Sequence, residues 1–139
     1  MLIRPFQKPD QPTVISLWHD CGLVVPWNNP EKDIDRKLRE QPELFLVAEQ
    51  DGVVVGTLMG GYEGHRGWMN YLGVRPDLQG EGIARQMITF LEQRLLERGC
   101  PKVNLQVRST NTQVIEFYRQ LGYSEDHAIG MGKRLIPDN

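Results

Sequence analysis

Gln79-Gly80-Glu81-Gly82-Ile83-Ala84 places two glycines between an apolar, strand-like segment and the first turn of a long amphipathic stretch. The opening turn of a helix leaves backbone N–H groups without intrahelical partners and carries partial positive charge, so this stretch reads as an anion cradle. Without a Cβ at positions 80 and 82, the main chain takes positive φ at little cost and its amides converge on one concavity. The expected ligand therefore carries phosphate. A Walker-type loop needs a Lys-Ser or Lys-Thr pair after its last glycine and a dinucleotide fingerprint needs a third glycine, and neither is present.

Working outward from the loop, residues 68–74 read as the strand that feeds it, ended by Pro76. A helix is expected over residues 81–98, stopped by Gly99, with Ala84, Met87, Ile88, Leu91 and Leu95 spaced by three and four along its inner face. Val103, Leu105 and Val107 alternate as a further strand, and Val114, Phe117, Tyr118 and Leu121 mark a short helix closed by Gly122. Residues 123–135 form a weaker strand region. Towards the N-terminus, residues 44–50 and 53–62 are apolar, β-branched runs joined by Asp51-Gly52, a strong hairpin signal. Asn29 and Pro30 open a charged helix. Asp10 is expected to cap a first helix with Val14, Leu17, Trp18 and Cys21 inward, preceded by a strand at Leu2-Ile3-Arg4-Pro5-Phe6. This order predicts an α/β chain, with an α+β mixed sheet covered by helices, in one domain over residues 1–139.

Composition narrows the class. A chain of 139 residues suits one core, burying about two thirds of the surface that its unfolded form exposes. A net charge of −2 gives no diffuse basic face for nucleic acid or an anionic membrane. No apolar run reaches the roughly 18 residues of a membrane span and no charged-then-apolar leader opens the sequence, so a cytoplasmic protein is expected. Cys21 and Cys100 are the only cysteines, without a C-x-x-C pair, so no metal site is expected and two free thiols are.

The segment Gln-x-x-Gly-x-Ala, preceded by Val74-Arg75-Pro76-Asp77 and followed by Asn111 and Phe117-Tyr118-Arg119-Gln120-Leu121-Gly122-Tyr123, resembles the GNAT acyltransferase family over nearly the whole chain. That resemblance implies a central, mostly antiparallel sheet flanked by about four helices, and acetyl-CoA as cosubstrate. It implies further that Leu72, Gly73 and Val74 offer backbone bonds to the extended pantetheine, as an added strand would. Gln79, Gly80, Glu81, Gly82, Ile83, Ala84 and Arg85 would surround the pyrophosphate, with Asn111 and Tyr118 approaching the pantetheine arm and the thiol sulfur.

The chemistry expected of such a site is transfer of acetyl to a primary amine of a small molecule or a peptide. Tyr118 is the candidate to assist the departing thiolate. A phenol's reference pKa near 10 exceeds the roughly 8.5 of a thiol, so hydrogen bonding competes with full proton donation. Tyr118 also shares a helical stripe with Val114 and Leu121, which fits core packing equally well. The base is open: the strand Trp68-Met69-Asn70-Tyr71-Leu72-Gly73-Val74 carries no carboxylate where many family members have one, leaving Glu63 and His65 beside it. Trp27, in a loop where periodicity demands no burial, and Tyr71 are candidates to border the acceptor. A relay through Cys100 ranks below direct transfer, because a helix C-terminus disfavours thiolate. A noncatalytic acyl-CoA-binding module and a purely structural domain are the rival classes. Either a monomer or a homodimer is compatible with this sequence.

Overall fold

The computed structural model describes residues 1–138. Its sheet has five strands in the order β1 (Leu2–Pro5), β2 (Phe45–Gln50), β3 (Val53–Tyr62), β4 (Gly67–Val74) and β5 (Val103–Asn104). The first four pair antiparallel and β5 runs parallel to β4. Four helices cover it: α1 (Gln11–Asp20), α2 (Pro30–Lys37), α3 (Ile83–Glu97) and α4 (Thr112–Gln120). The mixed, mostly antiparallel sheet with four helices is the architecture expected from the sequence.

Local chemistry explains most boundaries. Asp51 and Gly52 both take positive φ, 53° and 79°, which matches the turn twist to that of the flanking strands. Asn29 caps α2 by accepting from the Lys32 amide at 3.0 Å. Asp10 behaves differently from expectation. Its carboxylate turns back to the Gln7 amide and the Arg4 guanidinium, each at 2.8 Å, and leaves the start of α1 without a side-chain cap.

Each face of the sheet buries its own core. Ile83, Met87, Ile88, Leu91 and Leu95 of α3 pack with Tyr118 of α4 against Leu44, Leu46, Val55, Leu58 and Met69. Val14 and Trp18 of α1 and Ile34 of α2 meet Phe45, Val47 and Val54 on the opposite face. Each large aliphatic side chain buried in this way contributes about 1.5–3 kcal/mol.

Two expected strands are corrected. Only Val103 and Asn104 pair with β4, although Leu105 and Val107 continue the alternation. Residues 123–135 form no strand. Asp126 reaches Lys102 and Asn104 with its carboxylate, and His127 takes φ 53°, outside extended geometry. Side-chain bonds thus replace the backbone ladder there, leaving Ile129, Met131 and Leu135 exposed.

Candidate active site

The site grows from an irregularity in β4. Its pairing with β3 slips between Thr57 and Met59, so Leu58 faces both Tyr71 and Leu72. Such a bulge sends two consecutive side chains towards one face, and Asn70 and Tyr71 do line one cleft together. Tyr71 sits at φ 53°, a conformation that costs a non-glycine residue about 1–2 kcal/mol. Three contacts hold it there. Its ring stacks on Trp18 at 3.9 Å between centroids, its carbonyl accepts from Thr57 Oγ1 at 2.9 Å, and its hydroxyl donates to Asp33 Oδ2 at 2.6 Å. Thr57 is fully buried and in turn accepts from the Trp18 indole N–H at 3.0 Å. Burial and the Asp33 carboxylate both push the Tyr71 phenol well above its ordinary pKa, so it remains a hydrogen-bond donor.

Downstream of the bulge, β4 leads to the glycine loop. The β4–β5 ladder stops after Trp68, so the outer edge of β4 from Asn70 to Val74 has no strand partner. At the end of β4 the Val74 carbonyl accepts from both Gln79 Nε2 at 3.1 Å and Cys21 Sγ at 3.2 Å. The Gln79 side chain thereby anchors the loop. Gly80 and Gly82 take φ 85° and 86°, and a Cβ at either would meet nothing within 4 Å, so the concavity is open. Gly82 provides no side-chain cap for α3, and the first closing bond runs from the Gln86 amide to the Gly82 carbonyl. The Ile83, Ala84 and Arg85 amides therefore have no intrahelical acceptor. Arg85 is exposed in this first turn, as is Glu81 in the loop. Open space, uncapped amides and a free strand edge in sequence fit a phosphate-bearing ligand with an extended arm.

Tyr118 lies on α4. It is only 8% exposed, packs edge-on to Phe117 and Tyr123, and lines a groove of about 1150 Å³ between β5, α4 and residues 122–130. Burial pushes its phenol up to about 12. Asn111 spends its side-chain oxygen on capping α4, accepting from the Val114 amide at 3.4 Å.

The other candidates are placed less favourably. Glu63 and His65 lie in the turn between β3 and β4, at the opposite end of β4 from the glycine loop. The Glu63 carboxylate accepts from the Arg66 and His65 amides, and those bonds hold it below the usual carboxylate range. Trp27 is 53% exposed, with the Arg108 guanidinium 6.0 Å from its ring centroid, and only its neighbour Asn28 lines the cleft that Asn70 and Tyr71 share. Cys100 is buried, with Sγ directed at the Lys102 carbonyl.

Comparison with known proteins places this geometry. Residues 11–123 match the acetyltransferase (GNAT) family. A protein named as an acetyltransferase in Yersinia enterocolitica is 54% identical over 138 residues, spanning 99% of this chain and 98% of its own. The chain belongs to the GNAT acetyltransferase family. It is thus an acetyl-CoA-dependent acetyltransferase. Ard1 from Thermoplasma volcanium has the same fold, with a TM-score of 0.79 at 23% identity over 88% of this chain and 82% of that one. So does AAC(6')-Iy in complex with the bisubstrate analog CoA-S-monomethyl-acetylneamine, with a TM-score of 0.79 at 18% identity over 97% and 98% of the two chains.

The acetyltransferase also has a cleft whose walls carried no distinct signal in the sequence. Asp33, Arg36, Lys37 and Glu40 form one wall of a cleft of about 430 Å³, floored by Met59, Asn70 and Tyr71. Their spacing of three, four and seven was a visible stripe, but eight of the ten residues from Glu31 to Glu40 are charged and the segment reads as a solvated helix face. Thr57 carried no signal, since an isolated threonine in an apolar strand is unremarked by periodicity.

Proposed function

We propose that this enzyme transfers the acetyl group of acetyl-CoA directly to a primary amine on a small molecule or a peptide, with Tyr118 assisting departure of the thiolate. One arrangement carries the reading: the unpaired edge of β4 connects the amide cradle at Gly80 and Gly82 to the bulge at Tyr71, where the acceptor cleft opens. Acetyl-CoA supplies an activated thioester carbonyl. The amides of residues 80–85 and the Arg85 side chain hold the diphosphate, and Leu72, Gly73 and Val74 align the arm by main-chain bonds.

Tyr118 is buried on the α3 and α4 side, where its protonated phenol can donate to sulfur as charge develops. Asp33, held by Tyr71, gives the cleft a negative charge that steers amines towards the bulge. Glu63 is too firmly bonded to backbone amides to accept a proton near neutrality, so an acceptor amine enters deprotonated or loses its proton to solvent. Buried Cys100 and its bond to Lys102 favour direct transfer over a thiol relay.

The decisive measurement is release of coenzyme A thiol from acetyl-CoA against a panel of primary amines. Amine-dependent release is expected. Stabilisation of the protein by acetyl-CoA with no release for any amine would leave only the noncatalytic binding module.

A further inference from the structure

The acceptor cleft contains one cation without an ion-pair partner among the described residues. Asp33 accepts from Tyr71 at 2.6 Å and lies 3.6 Å from Arg36, while Arg36 is held by Asp138 through two bonds of 2.7 and 3.0 Å. Lys37 is different. It is partly buried, its Nζ lies 3.6 Å from where a Cβ on Gly61 would stand, and among the described residues it makes no ion pair. Glu43 and Glu40 attract it from a distance and Arg98 repels it, but Glu43 is already paired with Arg98 at 2.6 Å. Desolvation lowers the Lys37 pKa, the direction expected of an ammonium without a partner. Withdrawing a charge from water without an opposite charge costs free energy that a bound anion would offset.

The sheet supplies a ruler. The bulge lies opposite Leu58, and Gly61 is three residues further along β3, on the face that Met59 and Tyr71 share. At about 3.4 Å per residue the separation is roughly 10 Å. An α-amino acid is too short to bridge it.

We infer that this cleft selects acceptors carrying a carboxylate about 10 Å from the amine to be acetylated, with Lys37 as the group that recognises it. The inference rests on the N-acetyltransferase reading and names its substrate class. A long ω-amino acid has this chemistry, and so does a peptide N-terminus with an acidic side chain two or three residues in. Lys37 fixes specificity and takes no part in bond making.

The test pairs ω-amino acids of increasing length with their primary amides, and Gly-Gly-Asp with Gly-Gly-Asn, both blocked at the C-terminus, in the thiol-release assay. The acid of the fitting length should show a KM roughly ten- to a hundredfold below its amide, the range of one charge-assisted bond. Lys37→Met should abolish the difference in KM between the acid and its amide, and Lys37→Arg should restore it. A preference confined to the ω-amino acids, or to the peptide pair, identifies the source and supports the inference. Equal KM values for every acid and its amide in the wild type overturn it while leaving the transferase reading intact. Failure of every amine, acid or amide, to release thiol overturns both.

Discussion

At the scale of single residues, Tyr118 separates catalysis from packing. A phenol near 12 lies roughly 3–4 units above a reference thiol, so complete proton transfer would be uphill by about 5 kcal/mol. Hydrogen-bond donation to sulfur is the role that survives this arithmetic. Phenylalanine at 118 retains the ring that meets Phe117 and Tyr123 at 5.2 and 5.6 Å and removes only the hydroxyl. Tyr118→Phe should therefore lower kcat about a hundredfold while leaving the KM for acetyl-CoA and the melting temperature nearly unchanged. Steady-state kinetics with a competent amine decides it: kcat within twofold of wild type would leave Tyr118 as a core residue alone.

At the scale of elements, the glycine loop and α3 offer an internal control. Gly82 begins α3 with φ 86° and Gly99 follows it with φ 82°, and at both a Cβ would enter open space. Alanine at either site meets the same left-handed strain, about 1–2 kcal/mol, and only Gly82 belongs to the amide cradle. Gly82→Ala and Gly99→Ala should lower the melting temperature of the ligand-free protein by similar amounts, a few degrees. Acetyl-CoA should then stabilise Gly99→Ala as it does wild type and Gly82→Ala much less, read by thermal shift. Equal ligand responses in the two variants would remove the cradle from residues 80–85. These elements were legible because local signals agree: glycines at fixed offsets, apolar residues at helical period, and Asp51-Gly52 between two β-branched runs. The short β5 was not legible, since Leu105 and Val107 alternate whether or not a partner strand reaches them. Nor was the Asp33 to Glu40 wall, because periodicity identifies a polar stripe without telling solvent from a cleft. Tyr71 was visible as an aromatic on the motif strand, yet its bulge depends on Thr57 and Trp18, distant in sequence.

Across the whole molecule, three tyrosines tie neighbouring elements together on both faces of the sheet. Tyr71 bonds Asp33 of α2, Tyr123 donates to Glu92 of α3 at 2.7 Å, and Tyr118 fills the core between α3 and α4. Burial raises all three phenols, and the carboxylate partners raise Tyr71 and Tyr123 further. A group whose folded-state pKa exceeds its unfolded value contributes stability that is fully present below the unfolded value, here about 10, and is lost as pH rises through the folded one. For Tyr118 the window runs from about 10 to about 12, and the loss approaches roughly 2–3 kcal/mol at its upper end. Tyr71 and Tyr123 add losses of the same sign that begin at the same lower limit. Guanidinium unfolding should therefore give a free energy that is nearly flat across about pH 7–9 as far as these phenols are concerned, then falls steeply above about 10. Tyr118→Phe should make that fall shallower, since phenylalanine has no proton to lose in the unfolded chain. An alkaline slope identical in wild type and Tyr118→Phe would mean that the phenol ionises as readily in the native protein as in the unfolded one, and a hydroxyl that accessible would be no buried donor to sulfur.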